Sequence, residues 1–289
     1  MKENGRSKQR EGIVKPMFSV VIPTYHRNDL LTKCLDCLAP GEQAVSPDKY
    51  EVIVTDDGSE SSARELIQSK YPWVRWIAGP GKGPAANRNN GAACANGEWL
   101  VFTDDDCLPD KVFLSSYMDA VIENDSQVFE GKTSPTGIRT RVDMECPINE
   151  NGGCLWSCNM AIRKDLFAEL GGFDINFGAP AMEDMDMRTR LIKAGRTIKF
   201  VPGALVLHPW RLKKGFAFWK LHSQSRVYFI GKHPETVDSI SFSSLSFELT
   251  RKLVKELPAA AWAYNGRGLA RELLLTFYNI YSVFVFSRR

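Results

Sequence analysis

EWLVFTDDDCLP, residues 98–109, is an apolar run that ends in three adjacent acids. Trp99, Leu100, Val101 and Phe102 read as a strand buried on both faces, because no polar residue interrupts them. Three neighbouring carboxylates repel one another where the chain has just left a core. The pattern occurs twice: YEVIVTDDGS, residues 50–59, is a second apolar strand, ending in Asp56 and Asp57.

Working outward, FSVVIPTY (18–25) is a β-branched strand stopped by Pro23, and WVRWIA (73–78) is a shorter one. Between them, Asn28 can cap a helix through about residue 38 with Leu30, Leu31, Cys34, Leu35 and Leu38 on one face. Ser59 or Ser61 can cap another to about Lys70. GPGKGPAANRNNGAACANG (79–97) is a glycine-rich turn feeding an alanine-rich helix that stops by Gly97. This alternation predicts an α/β fold, a mostly parallel sheet flanked by helices.

Beyond residue 110 the pattern loosens. A helix over 111–123 and a strand over 127–131 precede a long segment, 132–154, rich in Gly, Pro, Asn and charge, which reads as a functional or mobile loop. CNMAIRKDLFAELGGFD gives strand, helix and glycine stop; MEDMDMRTRLIKAG gives a helix closed by Gly195; TIKFVPGALVLHP gives two short strands. The expected organisation is a polar basic tail over 1–16, a main domain over 17–210 and a helical extension over 211–289.

The chain has 289 residues, ordinary globular composition and a net charge of +3, too weak to argue for nucleic acid. Its N-terminus lacks the apolar stretch of a signal peptide. With seven cysteines, this predicts reduced thiols in a cytoplasmic protein. Cys34-x-x-Cys37 and Cys154-x-x-x-Cys158 suit buried thiols better than zinc, because no His or Cys continues either spacing. The extension mixes basic and aromatic residues and ends in an apolar run shorter than the about 20 residues of a bilayer span. It fits either a membrane interface or a helix covering the core.

Ligands of parallel α/β sheets bind beyond the carboxyl ends of strands. The two acid clusters lie at such ends, and a hard divalent cation, Mg²⁺ or Mn²⁺, would offset their repulsion. In an extended chain, Asp104-x-Asp106 puts both carboxylates on one side. The plain alternative is that acids are common turn residues after strands. Lys82, Arg88 and the glycine-rich turn offer donors for phosphate, although Arg88 equally suits a solvated helix face. Glu183, Asp184 and Asp186 begin a helix whose later turns carry Arg188, Arg190 and Lys193. That order suits the helix dipole and i,i+4 pairing, or a general base facing a cleft. His208 suits a core histidine, a metal ligand or a proton carrier.

In this order, FSVVIPTYHRNDLL, YEVIVTDDGS, NRNNGAACANGEWLVFTDDDCLP, CNMAIRKDLFAELGGFD and MEDMDMRTRLIKAG resemble the family-2 glycosyltransferases, whose nucleotide-sugar-binding fold is called GT-A. The resemblance covers about residues 17–210. It implies that Pro23, Thr24 and Tyr25 lie against the nucleotide base and ribose, that Asp57 or Asp56 accepts a hydrogen bond from the base, and that Arg88 sits by the diphosphate. It makes Asp104 and Asp106 the DxD pair, Asp106 on the metal and Asp104 also near the ribose. It makes Asp184 the catalytic base and brings His208 to the metal or diphosphate. It further implies inverting transfer of one sugar from a UDP-, GDP- or dTDP-sugar to a hydroxyl acceptor, with a lipid-linked glycan at a cytoplasmic membrane face as one candidate. The terminal Gln-x-x-Arg-Trp of processive synthases is absent. A haloacid-dehalogenase-like phosphatase, a nucleotidyltransferase and a nucleotide-sugar-binding scaffold without turnover are the alternatives.

Overall fold

The computed structural model describes residues 15–59, 62–177, 181–236 and 249–286. The expected tail over 1–16 lies almost wholly outside them, as does Ser61. Strands β1 (Phe18–Thr24), β2 (Tyr50–Asp56), β3 (Arg75–Ala78) and β4 (Trp99–Thr103) form one half of an eight-stranded sheet. Strands β5 (Leu108–Pro109), β6 (Val128–Thr136), β8 (Asn159–Arg163) and β9 (Ile198–Pro209) form the other, in the order β3-β2-β1-β4-β8-β6-β9-β5. The parallel pairs are β1–β2, β2–β3, β1–β4 and β6–β9. The other three pairings, β4–β8, β6–β8 and β5–β9, are antiparallel, so the sheet is mixed beyond β4.

Strand alternation divides the core. Val20, Ile22, Val52, Val54 and Val101 join one cluster with Leu31, Cys34 and Leu35 of helix α1 (Asn28–Cys37), Ile67 of α2 (Arg64–Lys70) and Phe113 and Tyr117 of α4 (Phe113–Glu123). Val21, Ile53, Leu100 and Phe102 join the other with Ala85 and Ala92 of α3 (Pro84–Cys94), Phe167 of α5 (Lys164–Glu169) and Met187 and Leu191 of α6 (Glu183–Lys193). The small residues of α3 have a steric reason: a Cβ on Gly91 would lie 2.4 Å from Val21 Cγ1. Arg27, rather than Asn28, takes the cap position of α1, and Asn28 instead donates to the Ser62 carbonyl at 3.4 Å. Ala63 takes the cap position of α2, and the Ser62 hydroxyl before it accepts from Arg64 N at 3.1 Å.

The segment 132–154 is more ordered than a free loop. β6 continues to Thr136, Thr133 bridges Asn149, and the two-residue β7 (Met144–Glu145) pairs with β10 (Arg211–Leu212). The buried Glu130 carboxylate organises the return, accepting from Gly153 N at 2.5 Å, Cys154 N at 3.0 Å and Leu155 N at 2.7 Å. The two short strands expected over 197–209 are one strand, β9, and the register shift falls opposite it, between Gly131 and Lys132.

After β10, helix α7 (Phe216–Lys232) is followed by helices Leu257–Ala263 and Leu269–Phe286. The last packs on α7, with Phe216 edge-on to Tyr278 at 5.1 Å. It and the turn before it hold the 139–145 segment: Arg271 donates to the fully buried Asp143 at 3.0 Å, and Val142 N donates to Arg267 O, ahead of the helix, at 2.9 Å. Among the described residues no helix is long and apolar enough to cross a membrane.

Candidate active site

Because β1 lies between β2 and β4, the two acid clusters end on one rim with Thr24 between them. This is the switch point of the sheet, where neighbouring connections diverge. The two clusters are built differently. Asp56 is buried and satisfied from within: Gly58 N (2.8 Å) donates to Oδ1, while Ala63 N (2.7 Å), Ser62 Oγ (2.9 Å) and Trp76 Nε1 (3.1 Å) donate to Oδ2. Three of these four bonds fall on Oδ2 and one on Oδ1, so the Asp56 carboxylate is held mainly by its own loop. Asp57 is half-buried and accepts from Gly81 N at 2.8 Å. Gly79 permits this approach, since a Cβ there would lie 2.1 Å from Asp57 Oδ1.

The second cluster is a turn rather than an extended strand, with Cys107 N donating to Asp104 O at 3.1 Å. Its carboxylates meet cationic side chains. Arg88 of α3 donates from Nη2 to Asp104 at 2.7 Å and from Nη1 to Glu183 at 3.3 Å. Arg27 pairs with Asp105 at 3.2 Å and donates to Asp106 at 2.7 Å. Asp105 also accepts from Thr24 Oγ1 at 2.8 Å, so Thr24 faces inward while the neighbouring Tyr25 ring is 61% exposed. Pro23 is half-buried beside them in β1, in register with Thr55. His208 Nε2 of β9 lies 3.3 Å from Asp106 Oδ1, and Arg211 Nη1 lies 3.6 Å from Oδ2.

The charges follow from these contacts. Burial opposes ionisation of Asp106, but hydrogen bonding to His208 and the charges of His208, Arg27 and Arg211 hold it well below the usual carboxylate range. Asp105 is driven the other way, to about 7, by burial first and by Asp106 next, against the pull of Arg27. Burial works against protonation of His208, but hydrogen bonds to Asp106 and Cys146 push it up to about 11. Glu183 is raised by burial and then by Asp184; Asp184 is raised by burial and by Asp104, against Arg88 and hydrogen bonds from Ser157. Oδ1 of Asp184 is buried and has no hydrogen-bond partner among the described residues.

Asp106, Cys107 and His208 bring ligand atoms within 4.8 Å of one another, the arrangement among the described residues that suits a metal ion. Hydrogen bonding to Cys158 and burial push the Cys107 thiol well above its ordinary value, which disfavours the thiolate a metal would need. The Asp106 carboxylate suits Mg²⁺ or Mn²⁺, and His208 could join it as an Mn²⁺ ligand only on giving up its Nε2 proton. All seven cysteines are free thiols.

Sequence reasoning did not single out Arg27 or Arg211, and it read Glu183 only as part of an acidic helix start. The signal for Arg27 was its place directly after the first strand end; Glu183 and Arg211 meet Arg88 and Asp106 only through tertiary packing.

The family model for glycosyl transferase family 2 matches residues 19–171, more than half of the chain, and that for glycosyltransferase like family 2 matches residues 154–232. The chain belongs to glycosyl transferase family 2. It is an α/β glycosyltransferase with the GT-A fold and a helical C-terminal part. Glycosyltransferase AglE of Haloferax volcanii is 26% identical over 75% of this chain and 76% of its own length. Validoxylamine A glucosyltransferase of Streptomyces hygroscopicus subsp. limoneus is 25% identical over 88% of this chain and 60% of its own length. Among solved structures, mannosyltransferase PcManGT of Pyrobaculum calidifontis, in complex with GDP-Man and Mn²⁺, superposes with a TM-score of 0.62 at 18% identity, covering 94% of this chain and 87% of that one. S. aureus TarS 1–349 with UDP gives a TM-score of 0.56 at 17% identity, covering 94% and 90%.

Proposed function

We propose that the enzyme transfers a single sugar, with inversion, from a UDP-, GDP- or dTDP-sugar to a hydroxyl acceptor in glycan assembly, using Mg²⁺ or Mn²⁺. One observation carries this reading: the buried Arg88 guanidinium reaches both Asp104 at the end of β4 and Glu183 at the start of α6, so the DxD cluster and the base-bearing helix share one rim. Held by Asp106, and by His208 once its Nε2 proton has left, the cation would supply positive charge against the diphosphate oxygens. Arg88 adds fixed charge at the same place; burial opposes that charge, but Asp104, Asp184 and Glu183 together keep the guanidinium protonated. Pro23 and the exposed Tyr25 line the base end with Asp57, and Thr24 braces the acids through Asp105.

Asp184 acts as general base. The acceptor oxygen bonds to the anomeric carbon as the carbon–phosphate-oxygen bond breaks, the diphosphate leaves with the electron pair, and the hydroxyl proton passes to Asp184. A raised proton affinity and an unpaired buried oxygen suit a group that must accept that proton.

Release of UDP or GDP, assayed across a panel of nucleotide sugars with and without Mn²⁺, identifies the donor. Asp184→Asn is expected to keep Mn²⁺-dependent nucleotide binding and lower transfer by about 10²–10⁴-fold; full transfer by that variant removes Asp184 as the base.

For the acceptor we propose a lipid-linked glycan presented at an anionic membrane face. Leu274, Phe277 and Tyr281 are exposed at helical spacing in Leu269–Phe286, Trp262 is 87% exposed, and Arg251, Lys255 and Arg267 are exposed nearby in sequence. Co-sedimentation with anionic liposomes tests this, and equal recovery with uncharged liposomes refutes the charge argument.

A further inference from the structure

Asp186, two residues after Asp184, is bound to a different part of the chain. It is fully buried, and its Oδ2 accepts from Arg190 Nε at 2.8 Å. Its Oδ1 meets Lys232 Nζ at 2.7 Å and His233 Nε2 at 2.8 Å, both at the end of α7. Lys193 Nζ lies 3.0 Å from His233 Nδ1. An ammonium only donates, so Nδ1 accepts and the hydrogen on Nε2 faces Asp186. The same end of α7 grips the segment leading into α6: Lys232 donates to Asp174 at 2.5 Å, Tyr228 OH donates to Asp174 at 3.0 Å, and the Tyr228 ring meets Phe177 edge-on at 5.0 Å.

The start of α6 needs such support. Its first turn carries Glu183, Asp184 and Asp186, and Met182 at the cap position makes no side-chain cap bond and holds a left-handed φ of 76°. Residues two apart on a helix point to nearly opposite sides. A fixed Asp186 therefore fixes the rotation of α6 about its axis, and with it the direction of Asp184. Misplacement of a reacting group by about 1 Å can lower the rate about 100-fold.

We propose that Lys232 and His233, acting through Asp186, are positioning residues that aim the Asp184 carboxylate, so that the helical extension is part of the catalytic apparatus. This rests on the assignment of Asp184 as base.

The test uses the full chain. Lys232→Met retains the aliphatic stem and leaves Asp186 with Arg190 and His233. We expect faster hydrogen exchange at the amides of 183–190, with Mn²⁺-dependent UDP or GDP affinity within about twofold of wild type. With UDP-glucose or GDP-mannose, whichever the wild-type chain turns over, kcat falls about tenfold and KM stays within about twofold. Lys232→Arg, which restores a cation to Asp186 and Asp174, recovers most of the loss. Unchanged exchange in α6, unchanged kcat, or a loss that Lys232→Arg does not recover overturns the proposal. Asp184→Asn, run in parallel, separates the two ideas: if it loses transfer while Lys232→Met does not, the clamp alone fails; if it retains transfer, the base assignment fails.

Discussion

Asp56 and Asp106 are buried aspartates at strand ends of the same rim, and their charges are balanced by different kinds of partner. Asp56 receives two backbone N–H groups, a serine hydroxyl and an indole, all from its own loop and strand neighbourhood. Asp106 is met by Arg27, Arg211 and His208, drawn from three separate places in the chain. Backbone dipoles are fixed by the fold and cannot leave. Long cationic side chains can turn aside and yield their place to a divalent ion. On the proposed reading, the first aspartate keeps its partners and the second gives up some of them to the ion.

The sharpest way to break this contrast is Asp106→Ala. Mn²⁺-dependent binding of UDP or GDP is expected to weaken by about 100-fold or more. Asp56→Ala is expected to do the reverse, lowering stability by about 3 kcal/mol by stranding buried donors, as read by urea denaturation, while nucleotide affinity of the folded fraction barely moves. If the two variants behave alike, the distinction fails. Arg27→Met removes one of the exchangeable cations. Mn²⁺ alone should then bind about fivefold more tightly by calorimetry, because the ion no longer displaces a guanidinium from Asp106. Unchanged affinity would mean that Arg27 and the ion do not compete.

The smallest effect concerns Asp174. Burial would raise its pKa, but hydrogen bonds from Lys232, Asn176 N and Tyr228 hold it down to about 2. A folded-state value below the ordinary 3.8 means that its stabilisation is present above that pH and lost as pH falls through about 2. The contribution is on the order of 1 kcal/mol after solvent screening, and Lys232→Met should flatten that part of the acid-unfolding curve.

The first half of the sheet was legible because β1, β2 and β4 are long apolar runs and α1 and α3 have one clear inner face. Two-residue strands such as β5, β7 and β10 carry no periodic signal. Pro202-Gly203 within β9 imitates a break because β9 bends around the register shift beside Gly131. The DDD run and the EDMD helix start were visible as carboxylates. The division between Asp56 and Asp57 was not, because it depends on which oxygen meets the chain at Gly58 and Ala63 and which meets Gly81. Arg190 was readable as an i,i+4 partner of Asp186, whereas Lys232 and His233 reach it only through tertiary packing.

The Asp186–His233 contact joins residues 47 positions apart. At about 5–20 residues per second of synthesis, the imidazole follows the carboxylate by roughly 2–9 s. A nascent chain would thus complete its nucleotide pocket first and gain the brace behind its base only afterwards. Competence to hold a donor would precede competence to use it during translation.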